Sequence, residues 1–115
     1  KYWFNYRHMS NSFSLYQELK KLGFQDNHII LLSGLDSACD LRNPYPGNIY
    51  SDTSLLSTTN VYNDDVEIDY VGEDVNFMTI FQVLSGRYSS VTSLSKRLET
   101  NSNSNILVFF TGHGG

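Results

Sequence analysis

Three groups of residues in this chain could do chemistry: a histidine set between glycines, a lone cysteine, and an alternating run of carboxylates. The histidine is His113, with Gly112 before it and Gly114 after it, directly following Ile106-Leu107-Val108-Phe109-Phe110. An apolar run of that length, bounded by a Ser/Asn-rich loop and by glycines, reads as a strand buried on both faces. Its end would put His113 at the carboxyl edge of a sheet, where open α/β folds bind their ligands. Flanking glycines let the backbone approach a substrate closely and leave amides uncovered. Histidine titrates nearest neutral pH. The pattern therefore offers a general base beside an anion-binding amide. The competing reading is a turn residue that caps a strand. As a phosphate loop the glycines match weakly, since no lysine accompanies them. A zinc site is weaker still: His8, His28 and His113 have no ligand spacing, and Cys39 stands alone.

The carboxylates lie in Asp64-Asp65-Val66-Glu67-Ile68-Asp69-Tyr70. Alternation from Asp65 onward puts Asp65, Glu67 and Asp69 on one face if the backbone is extended. No second acidic cluster opposes them as in a glycosidase. An exposed acidic strand face is the default; a structural calcium site is the alternative, because hard cations take several oxygen ligands. Cys39 lies in a loop and reads either as an unremarkable free thiol or as one half of an intermolecular bond.

Positioning these groups requires a scaffold. Ser10 or Asn11 is a fair N-cap, and Phe13, Leu15, Tyr16, Leu19 and Leu22 recur at helical spacing until Gly23 closes the helix. After a turn at Gln25-Asp26-Asn27, His28 to Leu32 reads as a second buried strand, with His28 structural. Periodicity then fades from Ser33 to Asn63, a long connection kept extended by Pro44 and Pro46. A second helix is expected from Asn76 to Ser85, with a core stripe of Phe77, Ile80, Phe81 and Leu84, ended by Gly86. A turn of helix follows at Ser95 to Glu99. Strands alternating with helices describe a mostly parallel sheet, hence an α/β fold. At the front of the chain, Trp3 and Phe4 read as an aromatic plug beneath a sheet edge. By itself Asn5 reads as a turn residue; Arg7 and His8 read equally as cleft lining or as ion-pair partners.

With 115 residues the chain is at most one small domain, and 40% hydrophobic with 14% aromatic residues mark it as globular. A net charge of −4 argues against a nucleic-acid partner. No apolar run approaches the roughly 18 residues that would span a bilayer.

Four stretches, in order, carry a family resemblance: Trp3-Phe4-Asn5-Tyr6-Arg7-His8, Asp64 to Tyr70, Ser95-Lys96-Arg97-Leu98, and Ser104 to Gly115. They resemble the catalytic subunits of glycosylphosphatidylinositol (GPI) transamidases, which stand with legumain among the caspase-like cysteine peptidases. Legumains share the Asn-Tyr-Arg-His run but usually carry Asp-His-Gly where this chain has Gly112-His113-Gly114, a difference that favours the transamidase branch. The resemblance implies a partial caspase-like sheet flanked by helices, residues 1–115 forming a single incomplete catalytic domain. A first core strand is then expected before Lys1. The strand carrying the cysteine nucleophile, and any membrane anchor, are expected after Gly115, so the excerpt alone should be inert.

The resemblance also implies roles. His113 would be the general base, Asn5 would orient it, and the Gly114 amide would donate to the oxyanion. Arg7 and His8 would face substrate. Cys39 matches a loop cysteine that bonds to a companion subunit. Asp26, Glu67 and Asp69, with a carbonyl near Ile29, match a structural calcium site, although Asn63 replaces a usual glycine. Ser54 to Asn60 looks like an insertion. The chemistry requires no cofactor: a thioester forms at the acceptor residue of a proprotein C-terminal signal and is displaced by the amine of the GPI lipid, at the lumenal face of the endoplasmic reticulum membrane. The alternatives are a legumain-like asparaginyl endopeptidase of vacuole or lysosome and a non-catalytic caspase-like scaffold.

Overall fold

The computed structural model describes residues 3–51 and 59–113. Its longest element is helix α1, Tyr6–Lys21, entered through a 3-10 turn at Trp3–Asn5. Met9, Phe13 and Tyr16, spaced four and three apart, form its buried face. They pack with Leu31, Ala38, Ile49 and Val61 into one core. Phe13 also stacks on Tyr62, with ring centroids 5.4 Å apart and planes 22° from parallel. Burying such a side chain stabilises the fold by about 2–3 kcal/mol. At the other end the amides of Gly23 and Phe24 donate to the carbonyls of Lys20 and Leu19. This Schellman arrangement needs a left-handed residue, and Gly23 takes it at φ +93°.

Helix α1 starts a turn earlier than the expected cap at Ser10 or Asn11, because Ser10 is used elsewhere. Its buried hydroxyl donates to the Tyr50 carbonyl at 3.0 Å, while the Tyr50 amide donates to the Tyr6 hydroxyl at 2.6 Å. Together these bonds pin the long loop to the helix. Leu22, expected on the core stripe, is exposed.

A 3-10 turn at Asp26–His28 leads to strand β1, Leu32–Ser33, which pairs in parallel with β2, Tyr70–Val71. Strand pairing therefore falls later than the expected His28 to Leu32, and His28 is exposed in the turn. Before the ladder proper, the Asp69 amide donates to the Leu31 carbonyl at 3.0 Å, and the Leu31 amide donates back to the Asp69 carboxylate at 2.8 Å. Asp69 is buried, which corrects the expectation of an exposed acidic face running from Asp65 to Asp69. A carboxylate with a backbone donor in reach can be accommodated inside.

The connection from β1 to β2 is not extended at Pro44 and Pro46. It bends there, around the buried Asn43, whose side-chain amide donates to the carbonyls of Ser37, Ala38 and Asn48. Residues 54–58 of the expected insertion lie outside the described residues.

Helix α2, Phe77–Ser85, begins one residue after the expected start: Asn76 caps it, its side chain accepting from the Thr79 amide at 3.0 Å, and Gly86 closes the helix as expected, at φ +66°. Its apolar stripe is not buried. Phe77, Phe81 and Leu84 are exposed, and Val83 alone on this helix is buried. The Ile106–Phe110 run differs from expectation in the same way. Its five residues are 46–76% exposed and form no strand. An apolar run becomes a buried strand only when neighbours ladder to its edges and cover its faces. Among the described residues no backbone–backbone hydrogen bond ties 105–113 to another segment. The observed fold is thus α/β with a two-stranded parallel sheet, smaller than the sheet the family resemblance implies.

Candidate active site

The site forms where the start of α1, the end of β1 and the segment before His113 meet. Asn5 stands at the cap position of α1, where its side chain would normally accept from a helix amide. It makes no such bond. Its Oδ1 instead lies 2.8 Å from His113 Nε2. A carbonyl oxygen can only accept, so this contact is a hydrogen bond when Nε2 carries the proton, and in that neutral tautomer Nδ1 keeps its lone pair. That is the tautomer a base needs. A capping rule is set aside at the one position where the amide has another partner, as happens at functional sites.

Two further rings face the imidazole. Phe4 approaches at 5.7 Å between centroids and His8 at 5.0 Å, each nearly edge-on. Residues 4, 5 and 8 share one side of the helix start, because positions three and four apart are neighbours there. His8 Nδ1 lies 3.1 Å from Thr111 Oγ1. Burial, then the charges of Arg7 and His113, push the His8 pKa below its ordinary value, which favours the neutral ring.

A cleft of about 300 Å³ opens beside these rings. Asn5, His8 and His113 contribute to its lining, as do Ser33, which ends β1, and Gly34 and Leu35 just past it. The cleft thus sits at the carboxyl end of a parallel strand, where α/β folds place ligands.

Asn5 and His113 are brought together from 108 positions apart. His8 lines the cleft, but Arg7 is exposed and not part of its wall, contrary to the pairing expected. Gly114 lies outside the described residues. Phe4 is no plug; it is exposed and leans on the imidazole. Trp3 packs on Tyr6, with the Arg42 guanidinium 5.9 Å from its ring centre.

Cys39 is a free, exposed thiol. The neighbouring Asp36 carboxylate raises its pKa, which suppresses the thiolate and makes it a poor nucleophile. The three carboxylates matched to calcium do not converge: among the described residues no three His, Cys, Asp or Glu side chains form a group that could hold a metal ion. Asp26 is committed to Lys20 Nζ at 2.6 Å and to the Tyr16 hydroxyl, and these two donors hold its pKa down. Asp69 is buried against Leu31, and Glu67 is exposed.

Sequence reasoning missed Thr111. A signal was present, since residues two apart share a face on extended backbone, so Thr111 and His113 should point the same way. The wall formed by Ser33 to Leu35 gave no such signal, because its place depends on where β1 ends.

A model of the peptidase C13 family matches residues 1–115. Over all 115 residues the chain is 47% identical to a putative GPI-anchor transamidase of Caenorhabditis elegans, spanning 35% of that protein. It is 47% identical to the GPI-anchor transamidase of Bos taurus and 42% identical to that of Saccharomyces cerevisiae, spanning 29% and 28% of them. In each case the chain is covered completely and represents about a third of the relative's length or less.

Proposed function

The chain belongs to the peptidase C13 family, and from that premise we propose that it forms the histidine-bearing part of a cysteine-type GPI-anchor transamidase. The names of its relatives support this reading, and so does the 2.8 Å contact between Asn5 and His113, the observation on which it rests. In the proposed reaction a cysteine elsewhere in the full protein attacks the carbonyl of the acceptor residue. His113 Nδ1 takes the thiol proton, and Asn5 steadies the resulting imidazolium through Nε2–H. The Gly114 amide donates to the oxyanion. The C-terminal propeptide leaves with the proton from His113, and a thioester remains. The amine of the GPI lipid then attacks that thioester, giving its proton to His113, which passes it to the cysteine sulfur as the thioester bond breaks. Side chains and amides carry every step.

The same reading places the domain in the endoplasmic reticulum lumen within a membrane complex. Cys39, exposed in its loop, would bond to a companion subunit. Gly112, standing where legumains usually have aspartate, favours transamidation over asparaginyl endopeptidase activity.

The test is His113→Ala and Asn5→Ala in the full-length protein, scored by anchored proteins at the cell surface. Loss of the base should lower turnover by about 10²- to 10⁴-fold, and loss of Asn5 by less. Normal anchoring with His113→Ala would end the proposal. Cleavage of free asparaginyl peptides without partner subunits would favour the endopeptidase instead.

A further inference from the structure

We propose that Thr111 and His8 form a positioning latch that sets the reach of His113, an inference that rests on the functional reading above. The segment bearing His113 needs such a device. Among the described residues, 105–113 make no backbone–backbone hydrogen bond to another segment, and the apolar run within them, Ile106–Phe110, is exposed on every residue. What docks the segment on α1 is side-chain contact: Asn5 and Phe4 with His113, His8 with His113, and His8 with Thr111. All but the last engage the reacting imidazole itself. The bond between His8 Nδ1 and Thr111 Oγ1 is therefore the contact that can fix the segment's position while leaving the imidazole free to move a proton.

Two features argue that His8 is kept for this bond and not for stability. Its Nε2 is buried with no hydrogen-bond partner among the described residues. Leaving a buried polar atom unmatched costs about 1–3 kcal/mol, a cost that an apolar ring would avoid. Second, the ring stands edge-on to His113 at 5.0 Å, where a charged His8 would oppose protonation of the base. A neutral imidazole tethered at Nδ1 meets both demands. The spacing of Thr111 two residues before His113 aims both side chains at α1 together. A slip of about 1 Å in such a site can cost 10²-fold in rate.

The experiment uses the full-length protein in its complex, with a proprotein substrate and hydrazine as the amine, and reads kcat and KM separately. Thr111→Val removes the hydroxyl at constant shape, and His8→Phe keeps a ring without Nδ1. Each should lower kcat by about 10- to 100-fold with KM little changed, and the double variant should be no worse than either alone. Thr111→Ser should restore the rate. His8→Asn should restore most of it, since its amide group branches from Cγ as Nδ1 does. His113→Ala run alongside separates the two claims. If His113→Ala is inactive but Thr111→Val has a normal kcat, the latch is wrong and the functional reading stands. If the His8 variants raise KM alone, His8 contacts substrate and the latch is again wrong. Activity in His113→Ala overturns both.

Discussion

Replacing Asp69 with asparagine removes a charge that the fold holds under strain. Asp69 is only 4% exposed and precedes β2, where its carboxylate accepts from the Leu31 amide beside the strand that leads to the cleft. Burial raises its pKa from 3.8 to about 6; the Leu31 amide opposes the shift, the Glu67 charge adds to it and Lys96 lowers it. In the unfolded chain the group ionises near its ordinary value, so between the two pKa values the folded state binds a proton that the unfolded state has released. Stability is then lost as pH rises through this window, and the loss is complete above about pH 6. A difference of about two units, at about 1.4 kcal/mol each, makes the loss about 3 kcal/mol. Asparagine keeps an oxygen to accept from Leu31 and does not titrate. Asp69→Asn should therefore gain about 2–3 kcal/mol relative to wild type between pH 4 and pH 7. The assay is urea unfolding followed by circular dichroism at half-unit pH steps, read as the difference between the two proteins so that other carboxylates cancel. A difference that stays flat across the window would refute the reasoning.

Tyr16→Phe should cost about 1–3 kcal/mol in the same assay, because the Tyr16 hydroxyl joins α1 to the Asp26 carboxylate and to the Glu67 amide. The melting temperature should be the same with calcium and with chelator, given how Asp26 is paired with Lys20; a rise of several degrees with calcium would restore the ion site. Cys39→Ser should leave stability within about 0.5 kcal/mol, as expected for an exposed side chain. In non-reducing gels of the assembled complex the same variant should abolish a higher-mass band, and an absent band in wild type would remove the disulfide proposal.

The local devices were legible where a residue type has one job. The left-handed glycines that close the helices at 23 and 86, and the burial of Phe13 and Tyr16 from the helical stripe, follow from backbone geometry that any chain must satisfy. The pairing of Asn5 with His113 was legible only through family resemblance, since nothing local links positions so far apart. Burial was the least legible. Val-, Leu- and Phe-rich runs announce that a face can be covered, as at Ile106–Phe110 and on α2, yet among the described residues those faces stand exposed.

By itself the sequence determined which segments curl, where they stop, and which side chain could serve as a base near neutral pH, because torsional preference and intrinsic acidity belong to single residues and their nearest neighbours. Only the tertiary structure decided that Asn5 would turn from its helix to the imidazole, that Asp69 would be interred while Glu67 stayed out, and that Thr111 would meet His8. Those outcomes depend on distances between segments, and such distances arise only when the core closes.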